Sequence, residues 1–138
     1  MDKYKIITND DFKAKLKVIH QFKIVSLSDS NIILKFTSEL LDEFFDYSIE
    51  FINCEFQNNI SISHLNLNHF SLVHCNLHGS FKLSNINFQG NVLFNNTKLK
   101  KLHLINLSIP KRLVISKCSI SEKIDFSLCK EINLMSIN

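Results

Sequence analysis

Four cysteines, a cluster of histidines and a late run of basic residues are the side chains that could do chemistry in this sequence. Cys54, Cys75, Cys118 and Cys129 carry thiols, the raw material of nucleophiles, redox pairs and zinc sites. None of them stands in a CxxC pair, and the N-terminus MDKYKIITNDDFK is too polar for a secretory signal. Free thiols are therefore expected, and neither a zinc ribbon nor a disulfide framework. His64, His69, His74 and His78 crowd into one stretch and would bind metal only if the fold made them converge. The basic set is Lys98, Lys100, Lys101, Lys111, Arg112, Lys117, Lys123 and Lys130. It gives residues 98–138 a balance of +5, against −1 each for residues 1–48 and 49–97. A patch of this kind suits an acidic protein, a nucleic acid or an anionic surface. Aromatic residues are not interleaved with it, so single-strand nucleic-acid binding has no support and a protein partner is expected.

Composition removes several function classes. The chain has 138 residues and a mass of 16.0 kDa, the size of one domain. With 45% hydrophobic and 21% charged residues it is not a disordered chain. Its two glycines, Gly79 and Gly90, form no dinucleotide or phosphate-loop pattern, which excludes Rossmann and P-loop enzymes. No apolar run reaches the length of a membrane span, and a cytoplasmic location is expected.

The elements that would position these side chains come from a repeat. From Ile49 onward, apolar residues stand in pairs separated by one position, and each pair recurs after five or six residues. The series runs from Ile49/Phe51, Cys54/Phe56, Ile60/Ile62 and Leu65/Leu67 to Cys118/Ile120 and Ile124/Phe126, fifteen pairs in all. Such a pair is a very short strand with both members on one face. The spacing fits neither long strands nor a helical face, so the chain must turn a corner after each pair. Pairs that always point inward around successive corners build a β-solenoid, and four sides consume 20–22 residues per coil.

The cysteines fix the number of sides. Cys54, Cys75, Thr97 and Cys118 are separated by 21, 22 and 21 residues, so every fourth pair stacks small residues in one column. The other columns hold Ile, Leu, Val and Phe. Both glycines and the only proline fall in three-residue corners, such as His78-Gly79-Ser80, Gln89-Gly90-Asn91 and Pro110-Lys111-Arg112. Cys75-Asn76-Leu77-His78-Gly79, and more loosely Leu65-Asn66-Leu67 and Ile86-Asn87-Phe88, resemble the motif of the pentapeptide-repeat family. The resemblance covers roughly residues 49–131 and implies a right-handed quadrilateral β-helix. Here Ile, Leu or Phe often replaces the family's small first residue, and several steps are six residues long. Wider or less regular coils are expected.

The flanks read differently. Residues 1–48 are expected to form a small α/β segment, with helical spacing at Phe12, Leu16 and Ile19. The runs Phe22–Leu27 and Ile32–Phe36 read as a hairpin, the alternative being a degenerate first coil. A helix near residues 38–46, capped by Ser38, would cover the first coil of a solenoid spanning 49–138. At the other end Ile132, Leu134, Met135 and Ile137 follow the last regular pair without a sealing helix. They are expected to form a homodimer interface, and C-terminal dimerisation is also what the resemblance implies.

These readings favour a non-catalytic interaction module that presents a polar and basic surface to a macromolecular partner, with no cofactor and no metal site. In a four-sided coil the histidines point in diverging directions, the inward cysteines lack a base, and side chains fill the interior. The structural alternative is a solenoid that self-associates end to end, as bactofilin-type proteins do. DNA mimicry and topoisomerase protection, known among pentapeptide-repeat proteins, need an acidic rod, and this array carries the wrong sign.

Overall fold

A computed structural model describes residues 5–8, 10, 24–33, 46–127, 129 and 131–137, with residues 5–7 and 131–137 described by backbone alone. The strands in chain order are β1 (Lys5–Ile7), β2 (Ile24–Ser28), β3 (Ser30–Ile32), β4 (Ser48–Ile52) and β5 (Glu55–Phe56). Then come β6 (Ile60–Leu67), β7 (Phe70–Val73), β8 (Asn76–Leu77) and β9 (Phe81–Phe88). The last four are β10 (Asn91–Asn95), β11 (Lys98–Ser116), β12 (Ser119–Ser127) and β13 (Glu131–Ile137). Every pairing among them is parallel, and partners lie about one coil apart in sequence. The chain is a parallel β-solenoid of about four complete turns, and β11 alone runs round almost a whole coil.

The register defines four sides. On the first, Val25, Ile49, Phe70, Val92 and Leu113 stack in one inward column and Leu27, Phe51, Leu72, Phe94 and Ile115 in the next. All ten are buried. The second side carries Ile32, Phe56, Leu77, Leu99 and Ile120 beside the small column. The third carries Ile60, Phe81, Leu102 and Ile124, and the fourth Leu65, Ile86 and Leu107. Alternation along each short strand sends every second side chain inward, so the h-x-h pairs become the core directly.

Phenylalanines close the square across its axis. Phe70 packs against Phe81 at 5.6 Å and Phe94 at 6.2 Å between ring centroids, and Phe51 meets Phe56 edge-on at 5.0 Å. Phe70 and Phe81, on the first and third sides, and Phe51 and Phe56, on the first and second, belong to different sides, so the interior is filled by side chains reaching across it. That is how an alanine-poor chain accommodates bulky residues in columns that the pentapeptide pattern gives to small ones.

Of the two readings of residues 22–36, the hairpin is corrected, and the described part, residues 24–33, belongs to an early coil. Ile24–Ser28 pairs in parallel with Ser48–Ile52, while Ser30–Ile32 pairs in parallel with both Glu55–Phe56 and Lys5–Ile7. The two runs are consecutive sides of an early coil, separated by a corner at Asp29, whose φ is 51°. A corner of that kind keeps the inward face constant, whereas a hairpin would have placed the runs against each other. The stack therefore starts before residue 49. The helix expected near residues 38–46 lies, apart from Asp46, outside the described residues, as does the helical spacing at Phe12, Leu16 and Ile19.

Corners come in two kinds. Between the first and second sides, and between the third and fourth, two residues always intervene and the second is left-handed. The residues so placed are Asp29, Asn53, His74, Asn96 and Lys117 in one column, and His64, Asn85 and Asn106 in the other. Left-handed backbone costs most L-residues roughly 1–2 kcal/mol, and Asn and Asp tolerate it best. Amide ladders offset part of this cost, with Asn53 Nδ2 donating to Asp29 Oδ1 and Asn106 Nδ2 to Asn85 Oδ1, both at 2.6 Å.

The other two corners hold two or three residues, and the glycines sit there for lack of room. Neither has a positive φ. A Cβ at Gly79 would overlap the Asn59 side chain, whose Oδ1 accepts the Ser80 N–H at 2.8 Å. A Cβ at Gly90 would overlap the His69 ring, whose Nδ1 accepts the Asn91 N–H at 2.8 Å.

Two measurements test this account by urea unfolding. Phe70→Ala is expected to cost about 3–5 kcal/mol, because Phe70 is fully buried among other rings. Gly90→Ala is expected to cost about 1 kcal/mol by displacing the His69 ring and its hydrogen bond.

Candidate functional site

The small column is a structural device. Ser30, Cys54, Cys75, Thr97 and Cys118 follow the left-handed corner residues, and each donates to the carbonyl two residues earlier. From Cys54 onward each also reaches a carbonyl of the preceding rung: Leu27 from Cys54, Phe51 from Cys75, Leu72 from Thr97 and Phe94 from Cys118. The single S–H or O–H thus sits between two corner carbonyls and helps satisfy them in a water-free interior. Thr97 also accepts the Cys75 N–H at 3.4 Å, which explains why one polar residue stands among the first members. Ser30 extends the column one coil beyond the sequence reading. Cys129 makes the same pair of contacts at another corner, with the carbonyls of Ser127 and Leu104.

This placement leaves Cys75 and Cys118 poorly suited to act as nucleophiles, while the hydrogen bond from Cys75 lowers the pKa of the Cys54 thiol. The hydrogen bond shared with Cys54, and then burial, push the Cys75 thiol well above its ordinary range, and burial raises Cys118 too. A thiol so held stays protonated at neutral pH, and the thiolate is the nucleophile. All four cysteines are free.

The histidines are scattered around the rod. His64 and His74 occupy left-handed corners of different columns, His69 holds the corner at Gly90, and His78 lies 3.9 Å from Glu55. His103 lies 3.6 Å from Asp125 on the third side. Among the described residues no group of three or more His, Cys, Asp or Glu is placed to hold a metal ion.

The basic residues do not form one patch. Lys98 projects from the middle of the second side, and Lys100 and Lys101 form the corner between the second and third sides. Lys123 is the rung partner of Lys101, and Lys117 stands at the corner where the chain enters the second side of the next coil. These five surround one face over two coils. Lys111 and Arg112 occupy the corner between the fourth and first sides, diagonally opposite, where Arg112 pairs with Asn91. Sequence proximity suggested a single set; four-sided winding divides it.

One depression on the second side brings together residues that the charge count missed. Leu77, His78, Lys98, Leu99, Lys100, Ser119 and Ser121 line it, drawn from three successive rungs. The missed members are His78, Ser119 and Ser121. Their sequence signal was the step length, because Leu99 and Leu102 are separated by two residues where Leu77/Phe81 and Ile120/Ile124 are separated by three.

The residues expected at a dimer interface lie in the last rung. The backbone of Ile132 pairs with Ile109, Leu134 with Leu113 and Ile137 with Ile115, and Met135 lies in the same strand. The inward pairs before them are incompletely covered. Ile120 and Ile124 are half-buried and Phe126 is 41% exposed, whereas the equivalent Leu83 and Leu104 are buried.

Comparison with family profiles, characterised proteins and solved structures returns no match. The class is therefore defined by the fold, a β-helical repeat protein built as a parallel solenoid. Among the described residues no helix is long and apolar enough to cross a membrane.

The buried thiols predict a specific pH response. With a raised pKa in the fold, Cys75 and Cys118 bind more protons folded than unfolded once pH passes the ordinary thiol value of 9.0. Their contribution is complete below that value and is lost progressively as pH rises above it toward the raised folded-state pKa. The urea midpoint should fall between pH 7 and pH 10.5, and fall less in the Cys75→Ala/Cys118→Ala double variant.

Proposed function

We propose that this chain is a non-catalytic interaction module, a rigid β-solenoid that presents its second side to a macromolecular partner, for which we favour a protein. The observation that supports this most directly is the cluster of Lys98, Lys100, Lys101, Lys117 and Lys123 around one face. No ion pair to a carboxylate is seen for any of the five among the described residues. Lys101 and Lys123 are partners on adjacent rungs, and parallel rungs lie about 4.8 Å apart, so like charges are stacked by the register. At that spacing two ammonium groups repel by about 1 kcal/mol in water, an arrangement that an anionic partner relieves. The filled interior and shallow surface also favour a binding module over an enzyme. The family reading that fits this best is a divergent pentapeptide-repeat protein, supported by the four-sided winding and the Ser/Cys/Thr column. The reading implies an intracellular protein.

Cross-linking mass spectrometry in native extracts tests the assignment. Charge reversal at Lys101 and Lys123 should abolish recovery of the principal partner, and reversal at Lys111 and Arg112 should leave it intact. Equal recovery from both variants would refute the second side as the interface.

A second reading, self-association, is favoured by one observation, the apolar exposure of Phe126 with half-buried Ile120 and Ile124 in the fourth turn. Stacking through this rung and Ile132, Leu134, Met135 and Ile137 would produce a homodimer, or filaments if the opposite end is also open. Sedimentation velocity should show a dimer at micromolar concentration that Phe126→Glu converts to monomer. A wild-type monomer would remove this reading.

A further inference from the structure

The depression on the second side has a definite origin in the repeat. At the corner between the second and third sides, the rungs on either side of Lys98–Leu102 carry three residues, His78–Ser80 and Ser121–Lys123. The rung between them carries only Lys100 and Lys101. The pairing of β11 with β12 shifts register at this point, from Leu99↔Ile120 to Lys101↔Lys123. On the other flank the Lys100 N–H donates to the Gly79 carbonyl at 3.1 Å. A corner one residue shorter than those above and below it leaves the flanking corners with an extra residue each, and a depression lies at this place. The recess is lined by Leu77, His78, Lys98, Leu99, Lys100, Ser119 and Ser121, of which Leu77 and Leu99 are buried.

We propose that this recess binds a single phosphate monoester group carried by the protein partner. The proposal deepens the reading of the second side as a partner-binding surface and rests on it. Two ammonium groups supply charge, two hydroxyls and an imidazole supply hydrogen bonds, and the lining holds no carboxylate. Glu55 accepts from Asn76 Nδ2 and lies 3.9 Å from His78 Nε2, and Glu122, next in sequence to Ser121, is exposed. Lysine is a point-charge phosphate binder, and charge-assisted hydrogen bonds to a dianion are about twice as strong as neutral ones. Its lining holds no Phe, Tyr or Trp on which a nucleobase could stack. Among the described residues the shortened corner between the second and third sides occurs once, at Lys100–Lys101, so the recess matches one phosphoryl group better than a repeating phosphodiester backbone.

Amide NMR titrations of the full chain with inorganic phosphate, N-acetylphosphoserine amide and a short DNA duplex test the proposal. Both monoanionic and dianionic phosphate species are present near pH 7, so the titration is run at pH 7.5. Saturable millimolar shifts at Lys98, Lys100, Ser119 and Ser121 are expected with phosphate and with the phosphoserine derivative. Tighter binding of the derivative would favour a group borne by a protein, and exclusive binding of inorganic phosphate would overturn that assignment. Lys98→Gln/Lys100→Gln should weaken binding about tenfold, the loss of two exposed charge-assisted contacts, while Lys111→Gln/Arg112→Gln leaves it unchanged. Absence of saturable shifts, equal weakening in both variants, or duplex binding spread over all basic corners would overturn the proposal. Loss of phosphate binding alongside intact charge-dependent partner recovery would refute this inference alone. Phosphate binding without any effect of Lys101 and Lys123 on recovery would refute the functional reading instead.

Discussion

The structure depends on a chain that turns a corner within two residues and still keeps the same face toward the axis. Two residues between inward side chains leave little freedom, and the solution used here is one left-handed residue at each such corner. Among the described residues nine non-glycine residues have positive φ, eight of them at these corners, and six of the nine are Asn or Asp, the side chains best able to accept that backbone. Once these corners are set, each following residue points inward. At the corners between the first and second sides this position holds a small donor, Ser30, Cys54, Cys75, Thr97 or Cys118, whereas between the third and fourth sides Leu65, Ile86 and Leu107 fill it. Cys54, Cys75 and Cys118 are thus part of the corner mechanism, and the raised thiol pKa of Cys75 and Cys118 goes with their burial there.

The remaining corners are freer, and variation is confined to them. Three-residue corners admit the glycines, where a neighbouring rung's Asn59 or His69 side chain folds over the backbone and leaves no room for a Cβ. One of these corners is shortened at Lys100–Lys101. The rod absorbs the missing residue by a local shift of register, and the surface acquires a recess at that place. A rigid repeat can carry a specific site in this way, through a departure from its period with the core unchanged. Fixed corners hold the core while variable corners shape the surface.

Much of the fold was legible because burial in a solenoid is written at period two within each side and at 21–22 residues between coils. The pairs from Ile49/Phe51 to Leu113/Ile115 are buried almost without exception, and the small column was visible in the spacing of Cys54, Cys75, Thr97 and Cys118. Less of the site was legible. Counting charges grouped Lys111 and Arg112 with the other lysines, yet four-sided winding sends them to the opposite corner. His78, Ser119 and Ser121 carry no charge signal, and only the alignment of three rungs brings them together. Residues 24–32 were misread for a related reason, since alternating runs joined by a short polar link are alike whether the next strand is antiparallel or a parallel side of a coil.

By itself, then, the sequence determined that the chain winds into a four-sided parallel solenoid, because inward pairs at five- and six-residue steps have no other way to share one core. It also determined that the positive charge gathers in the last third of the chain. Tertiary structure alone decided that the coil takes in Ile24–Ile32, that Asn, Asp and His hold the left-handed corners, and that the lysines fall on two faces. Each of these depends on which rung lies beside which. Side-chain direction at a corner is set by backbone dihedrals and by contacts one coil away, and neither is encoded in local spacing.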